Sequence, residues 1–205
     1  MKVLIGCEFS GVVREAFRKK GHDAWSCDLL PSEDDSMYHF KCDVLELLSF
    51  PHRTQWDLAI FHPPCTYLCI SGNKWMKPEF KERFPNRHHD RNEAIEFFRS
   101  LLDCNIPKIC IENPVGVISS AIRKPDQYIQ PYYFGDPHPK KTGLWLKNLP
   151  KLIPTKIVEP EFIIGKKDGK KYSKTHYMSI SNKERWKERS RTFQGIAEAM
   201  ALQWS

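Results

Sequence analysis

The stretch 57-DLAIFHPPCTYLCISG-72 decides how this chain is read. Its first five residues, 57-DLAIF-61, read as a buried strand, and two prolines then stop regular pairing. Cys65 follows at once. A cysteine that only packs belongs inside the strand. One in the loop just past it is placed to meet a ligand, because open parallel sheets bind at the carboxyl ends of their strands.

Outward from that strand, short apolar runs alternate with helical stretches. 3-VLIG-6 predicts a strand and a turn, 7-CEFSG-11, followed by a helix over 12–21 closed by Gly21. 24-AWSCDLL-30 holds a second strand with Asp28 at its end, and 40-FKCDVLELL-48 begins as a short strand with Asp43 near its end. Apolar residues at 95, 97, 98, 101 and 102 predict an amphipathic helix over 90–104. 108-KICIE-112 is the next strand, ending at Glu112 before Asn113-Pro114, and 143-GLWL-146 is another. This order predicts an α/β, Rossmann-like fold: a mostly parallel sheet with helices on both faces. Glu8, Asp28, Asp43, Cys65 and Glu112 then fall on one rim, at or just past strand ends.

The 205 residues fit one domain overall, with a core over 1–150, a basic segment over 151–191 and a closing helix within 192–205. Residues 1–150 carry 20 Lys and Arg against 19 Asp and Glu, whereas 151–191 carry 12 against 5. The basic excess is thus local, as either a solvated lysine-rich face or a contact for a polyanion. No apolar run approaches the roughly eighteen residues that span a membrane, and 1-MKVLIGCEFSG-11 is too short in its apolar part for a signal peptide. The expectation is an intracellular protein. Seven cysteines at irregular spacing, with no CxxC pair, predict neither a disulfide framework nor a zinc ribbon. Cys65, Cys69, His88 and His89 fit no common zinc spacing, so no metal is expected.

Cys65 and Glu112 suggest a specific chemistry. A thiolate is a strong nucleophile, and a carboxyl group nearby can hold a ring nitrogen. Thiolate addition to carbon 6 of a pyrimidine, with nitrogen 3 held by the acid, makes carbon 5 nucleophilic. Glu8 to Gly11, at the turn into the first helix, suits an adenosine-containing cofactor. Asp28 suits ribose hydroxyls, and Asp43 an adenine amino group.

With those residues in place, the chain resembles the cytosine carbon-5 DNA methyltransferases, in a short form of the kind phages and prophages carry. Five motifs in order, over about 160 residues, carry the likeness: 9-FSG-11, 64-PC-65, 112-EN-113, 135-GDPHPKKTGLWL-146 and 195-GIAEAMALQW-204. The family's arginine positions fall on Lys140 and Thr142, its Gln after the cysteine is Thr66, and Val12-Val13 replaces a glycine-rich continuation. In place of a large target-recognition domain there are about forty residues, 147–190.

The resemblance implies a class I S-adenosylmethionine-dependent methyltransferase fold, that cofactor, and DNA with a flipped cytosine as partner, in the cytoplasm of a bacterial or phage-infected cell. It implies Cys65 as nucleophile, Glu112 on nitrogen 3, Asn113 shaping that loop, and Lys140 or Lys141 near the base or its phosphates. It implies Glu8, Phe9, Ser10, Gly11, Asp28, Asp43 and Pro63 around the cofactor. The insert 66–90 reads as a mobile loop over the base, with Lys74, Lys77 and Arg87 for phosphates and Trp75 to wedge or stack. Lys166, Lys167, Lys170 and Lys171 supply backbone affinity. Two other readings stay open: an exocyclic-amine methyltransferase using 62-HPPC-65, and a non-catalytic nucleic-acid-binding relative. Oligomeric state is open too, dimerisation being one route to sequence recognition.

Overall fold

The strands at the centre of the molecule are those whose side chains are apolar on both faces. β1 (Lys2–Gly6), β4 (Leu58–Phe61) and β5 (Lys108–Pro114) are almost wholly buried, as parallel strands covered on both sides must be. The computed structural model describes residues 1–50, 55–165, 169–173 and 185–205. With β2 (Asp23–Asp28), β3 (His39–Lys41), β6 (Gln127–Ile129) and β7 (Thr142–Lys147), they form one sheet in the order β3-β2-β1-β4-β5-β7-β6. Six strands point the same way, and β7 runs against them, antiparallel to both its neighbours, β5 and β6. The order reverses between β1 and β4, which opens the ligand crevice there.

One face packs Val3, Ile5, Leu58, Ile60 and Cys110 under α1 (Val12–Lys19) and the closing helix, α6 (Gln194–Gln203). The other packs Leu4, Ala59, Phe61, Ile109 and Ile111 against α2 (Val44–Ser49) and α3 (Arg87–Asp103), with Phe98 edge-on to Trp145 at 5.1 Å. The helices therefore cover both faces, as the alternating pattern predicts. A short α4 (Ile118–Ala121) follows β5, α5 (Arg185–Ser190) precedes the closing helix, and β8 (Ile163–Ile164) pairs with β9 (Lys171–Tyr172) as a separate hairpin.

Asp43 lies just past the short β3, as expected, and is the N-cap of α2, accepting the Leu45 amide at 2.7 Å, so 44-VLELL-48 continues as helix. Two expectations are corrected. Glu112 and Asn113 lie inside β5, because β7 extends the pairing to Pro114–Thr142. The insert after Cys65 is not an open loop: it folds into 3-10 turns at Ile70–Met76 and Pro78–Phe80, and α3 already begins at Arg87. Among the described residues no helix is long and apolar enough to cross a membrane.

Candidate active site

The β1 end of the crevice is built around a helix start. Gly11 takes φ +73°, which suits glycine, and turns the chain into α1. The carboxylate of Glu8 reaches over that turn and accepts the amides of Val13 (2.7 Å) and Arg14 (3.3 Å). Glu8 is buried, and burial raises its pKa, against the lowering pull of His62, those amides and Arg14. Its oxygens therefore cap α1 while its charge faces the crevice. Phe9 is buried too, and its carbonyl accepts the Glu33 amide at 2.9 Å. Asp28 accepts the Leu30 amide at 3.0 Å, and burial raises its pKa. The thiol of Cys7 is pushed up by burial and then by the charges of Asp28 and Asp43.

At the β4 end, the Cys65 carbonyl accepts the amides of Leu68 and Cys69, each at 3.0 Å. This turn brings two thiols close enough that each acts on the other's proton. Cys69, then burial of the sulfur, holds the Cys65 proton on, while Lys140 pulls the other way. Cys69 is pulled down to about 5, first by Cys65 and further by Ser71, whose hydroxyl lies 3.0 Å away, and the Gly72 amide. The rest of the Cys65 residue is exposed.

Glu112 enters from β5. Burial alone would raise its pKa, but His62, Lys140 and Thr142 together hold it below the ordinary carboxylate range. His62 Nδ1 lies 2.9 Å from Glu112 Oε2. Asn113 points the other way, and its buried Nδ2 donates to the Pro63 carbonyl at 2.9 Å, fixing the two loops together. A second staple joins them: the Val117 amide donates to Leu68 O (2.8 Å), Ile70 N to Val115 O (3.3 Å), and Cys69 bridges Gly116.

Of the two candidate lysines, Lys140 acts on both Cys65 and Glu112, and its Nζ donates to the Arg189 carbonyl at 3.1 Å. Lys141 instead lies over the Tyr128 ring at 4.3 Å. In the insert, Trp75 packs edge-on to Phe80 and Phe84 with Lys74 over its face at 4.3 Å, and Lys77 pairs loosely with Glu79 at 3.7 Å. Arg87 donates to the Thr66 carbonyl at 3.2 Å and lies over Tyr67. Lys171 stands 5.5 Å over Phe162, the Lys170 carbonyl accepts the Gly165 amide, and Lys166 and Lys167 lie outside the described residues.

Sequence reasoning missed several residues that complete the site. A crevice is lined by Cys7 to Ser10, His62 and Ser190 to Thr192. His62 stands at its floor, and Arg91 holds the Tyr67 carbonyl at 3.0 Å beneath the Cys65 turn. For His62 the sequence offered its place at the head of 62-HPPC-65, but not its bond to Glu112. Among the described residues no three His, Cys, Asp or Glu side chains converge as a metal site.

No protein-family model matches the sequence. No curated protein matches it either. Among solved structures the chain is similar to that of a proposed DNA modification methyltransferase encoded within a prophage (E. coli), with a TM-score of 0.50 and 16% identity. The likeness covers 78% of this chain and 52% of that one, so the chain spans about half the length of the protein it matches. At that identity the likeness is one of fold, and together with the seven-stranded order it identifies the architecture as the Rossmann-like methyltransferase fold.

Proposed function

We propose that this protein transfers a methyl group from S-adenosylmethionine to carbon 5 of a cytosine in DNA, through a Cys65 adduct at carbon 6. One observation carries the reading: Cys65, in the turn just past β4, and Glu112, near the end of the neighbouring β5 and held by His62 at 2.9 Å, stand at adjacent strand ends, with Lys140 bearing on both. The description of the prophage protein as a DNA modification methyltransferase is of the same kind.

The residues present fit the cofactor. The crevice runs from the α1 turn to segment 190–192, and a buried His62 nitrogen in it has no partner among the described residues. Glu8 to Gly11 and Pro63 would border it, with Asp28 on ribose hydroxyls and Asp43 near the adenine. When bound, S-adenosylmethionine supplies an electrophilic methyl group.

The chain's own groups do the rest. Cys69, as thiolate, takes the proton of Cys65, whose sulfur then forms a bond to carbon 6 of a flipped base. The electron pair of the 5,6 double bond moves onto carbon 5 and the ring. As the base enters, Glu112 takes a proton from solvent on the oxygen that His62 leaves open and shares it with nitrogen 3, and Lys140 offsets the charge that builds on the ring. After carbon 5 has gained its methyl, it loses its proton to a solvent water, and the electron pair left behind re-forms the 5,6 double bond. The carbon 6–sulfur bond then breaks, and its electron pair returns to Cys65. Lys74, Trp75, Lys77, Arg87 and Lys141, with the segment holding Lys166, Lys167, Lys170 and Lys171, would meet the DNA strand. That contact would weaken steeply with salt.

DNA containing 5-fluorocytosine tests this. The fluorine blocks loss from carbon 5, so with S-adenosylmethionine the protein stays attached, seen on a denaturing gel and by intact mass. A shifted band that Cys65→Ser removes supports the reading. No adduct on DNA that the protein binds overturns it, and a methylated exocyclic amine in its place would assign the 62-HPPC-65 loop to amine chemistry.

A further inference from the structure

His62 holds a position that the cysteine chemistry does not use. Its amide still donates to the Gly6 carbonyl at 3.0 Å, so its side chain leaves the sheet at the seam between β1 and β4. The side chain is 8% exposed. Nδ1 lies 2.9 Å from Glu112 Oε2 and 3.5 Å from the Thr192 hydroxyl. Glu8 bears on the ring from the β1 turn, and Arg191 lines the same crevice.

The other ring nitrogen, Nε2, is buried and has no partner among the described residues. A buried polar atom left unpaired is destabilising, so such an atom in a crevice marks the place of a ligand group. The Glu112 carboxylate accepts only, which makes Nδ1 the donor, and an imidazole that carries that one proton offers Nε2 as a bare acceptor. An acceptor beside the buried carboxyl of Glu8 selects a cationic N–H donor.

We propose that His62 Nε2 receives the α-ammonium group of the cofactor's amino-acid end, and that the same ring fixes Glu112, so that one imidazole joins the cofactor crevice to the base-holding carboxyl. This rests on reading the crevice as an S-adenosylmethionine site. His62 acts here as a positioning residue. A ligand that engages Nε2 locks the ring, and the locked ring holds the Glu112 carboxylate in one orientation for the cytosine.

The test separates the two ends of the ring. His62→Asn places an amide nitrogen where Nδ1 stood, keeping the Glu112 bond, and deletes the reach of Nε2. Calorimetry with S-adenosylhomocysteine should show affinity about tenfold weaker in His62→Asn at unchanged melting temperature. An analogue of S-adenosylhomocysteine lacking the amino group should bind wild type more weakly and no longer distinguish the two proteins. In wild type labelled with 15N-histidine, the signal lost in His62→Asn should move on adding S-adenosylhomocysteine. Equal affinity of wild type and His62→Asn overturns this inference and leaves the cytosine reading intact. No binding of S-adenosylhomocysteine to wild type overturns both.

Discussion

Glu33, in the loop after β2, and Arg191, just past α5, are joined by two hydrogen bonds of 2.8 and 3.1 Å to one carboxylate oxygen. The pair ties segment 190–192, one wall of the crevice, to the loop behind Asp28. Both side chains are partly exposed, so the pair contributes only about 0.2–1 kcal/mol to stability. Its effect should fall on binding instead. Arg191→Ala should leave the melting temperature within about 2 °C and weaken S-adenosylhomocysteine roughly fivefold, read by calorimetry. An unchanged affinity would mean that the wall stays in place without the pair.

Cys65 and Cys69 hold one proton between them above about pH 5, where Cys69 ionises. The sign follows from the lowered value. Below it both thiols are protonated and Cys65 has no base beside it; above it the thiolate stands ready. Adduct formation on 5-fluorocytosine DNA should therefore fall as pH drops through about 5. Cys69→Ala should slow it about tenfold to a hundredfold and move the falling limb upward, toward the ordinary thiol range near 8.5. A Cys69→Ala profile that matches wild type would remove Cys69 from the chemistry.

The two neighbouring lysines should separate cleanly. Lys140 acts on Cys65 and Glu112, while Lys141 rests on Tyr128. Lys140→Ala should cut single-turnover adduct formation about tenfold or more, with added salt giving no rescue. Lys141→Ala should change only DNA affinity, by about twofold to fivefold, in a salt-dependent way. Equal losses of rate in both variants would assign the lysines to phosphate contact alone.

A side chain at position 116 would run into the Leu68 carbonyl oxygen, with Leu68 C at 2.8 Å and Cys69 Cα at 3.0 Å. The obstacle is backbone and cannot swing away. Gly116→Ala should cost about 2–3 kcal/mol, or about 5–10 °C in melting temperature by calorimetry, and separate the cysteine turn from the Glu112 loop. A stable variant with full adduct formation would show that the two loops need not touch.

The central strands were legible because burial on both faces leaves continuous apolar runs, as in 3-VLIG-6, 57-DLAIF-61 and 108-KICIE-112. β6 was not, since three residues, Gln127–Ile129, on a sheet edge carry no period. 44-VLELL-48 satisfies strand and helix alike, and only the Asp43 cap decides it. Cys65 stood out by its position just past a strand and Glu112 by its position near the end of one. The partners that set their protonation did not: Cys69 meets Cys65 through a turn, and His62 meets Glu112 across fifty residues. Nor did the sequence separate Lys140 from Lys141, which differ only in the direction β7 takes as it begins.

The staple between the cysteine turn and the Glu112 loop has a consequence for how such chains diverge. Its two direct hydrogen bonds run between main-chain atoms, of Leu68 with Val117 and of Ile70 with Val115. Main-chain atoms are the same whatever residue bears them. The side chains that follow Cys65 can therefore change without altering the spacing between the Cys65 turn and the segment after Glu112. Position 116 cannot change in the same way, because only the absence of a side chain there lets the two segments meet.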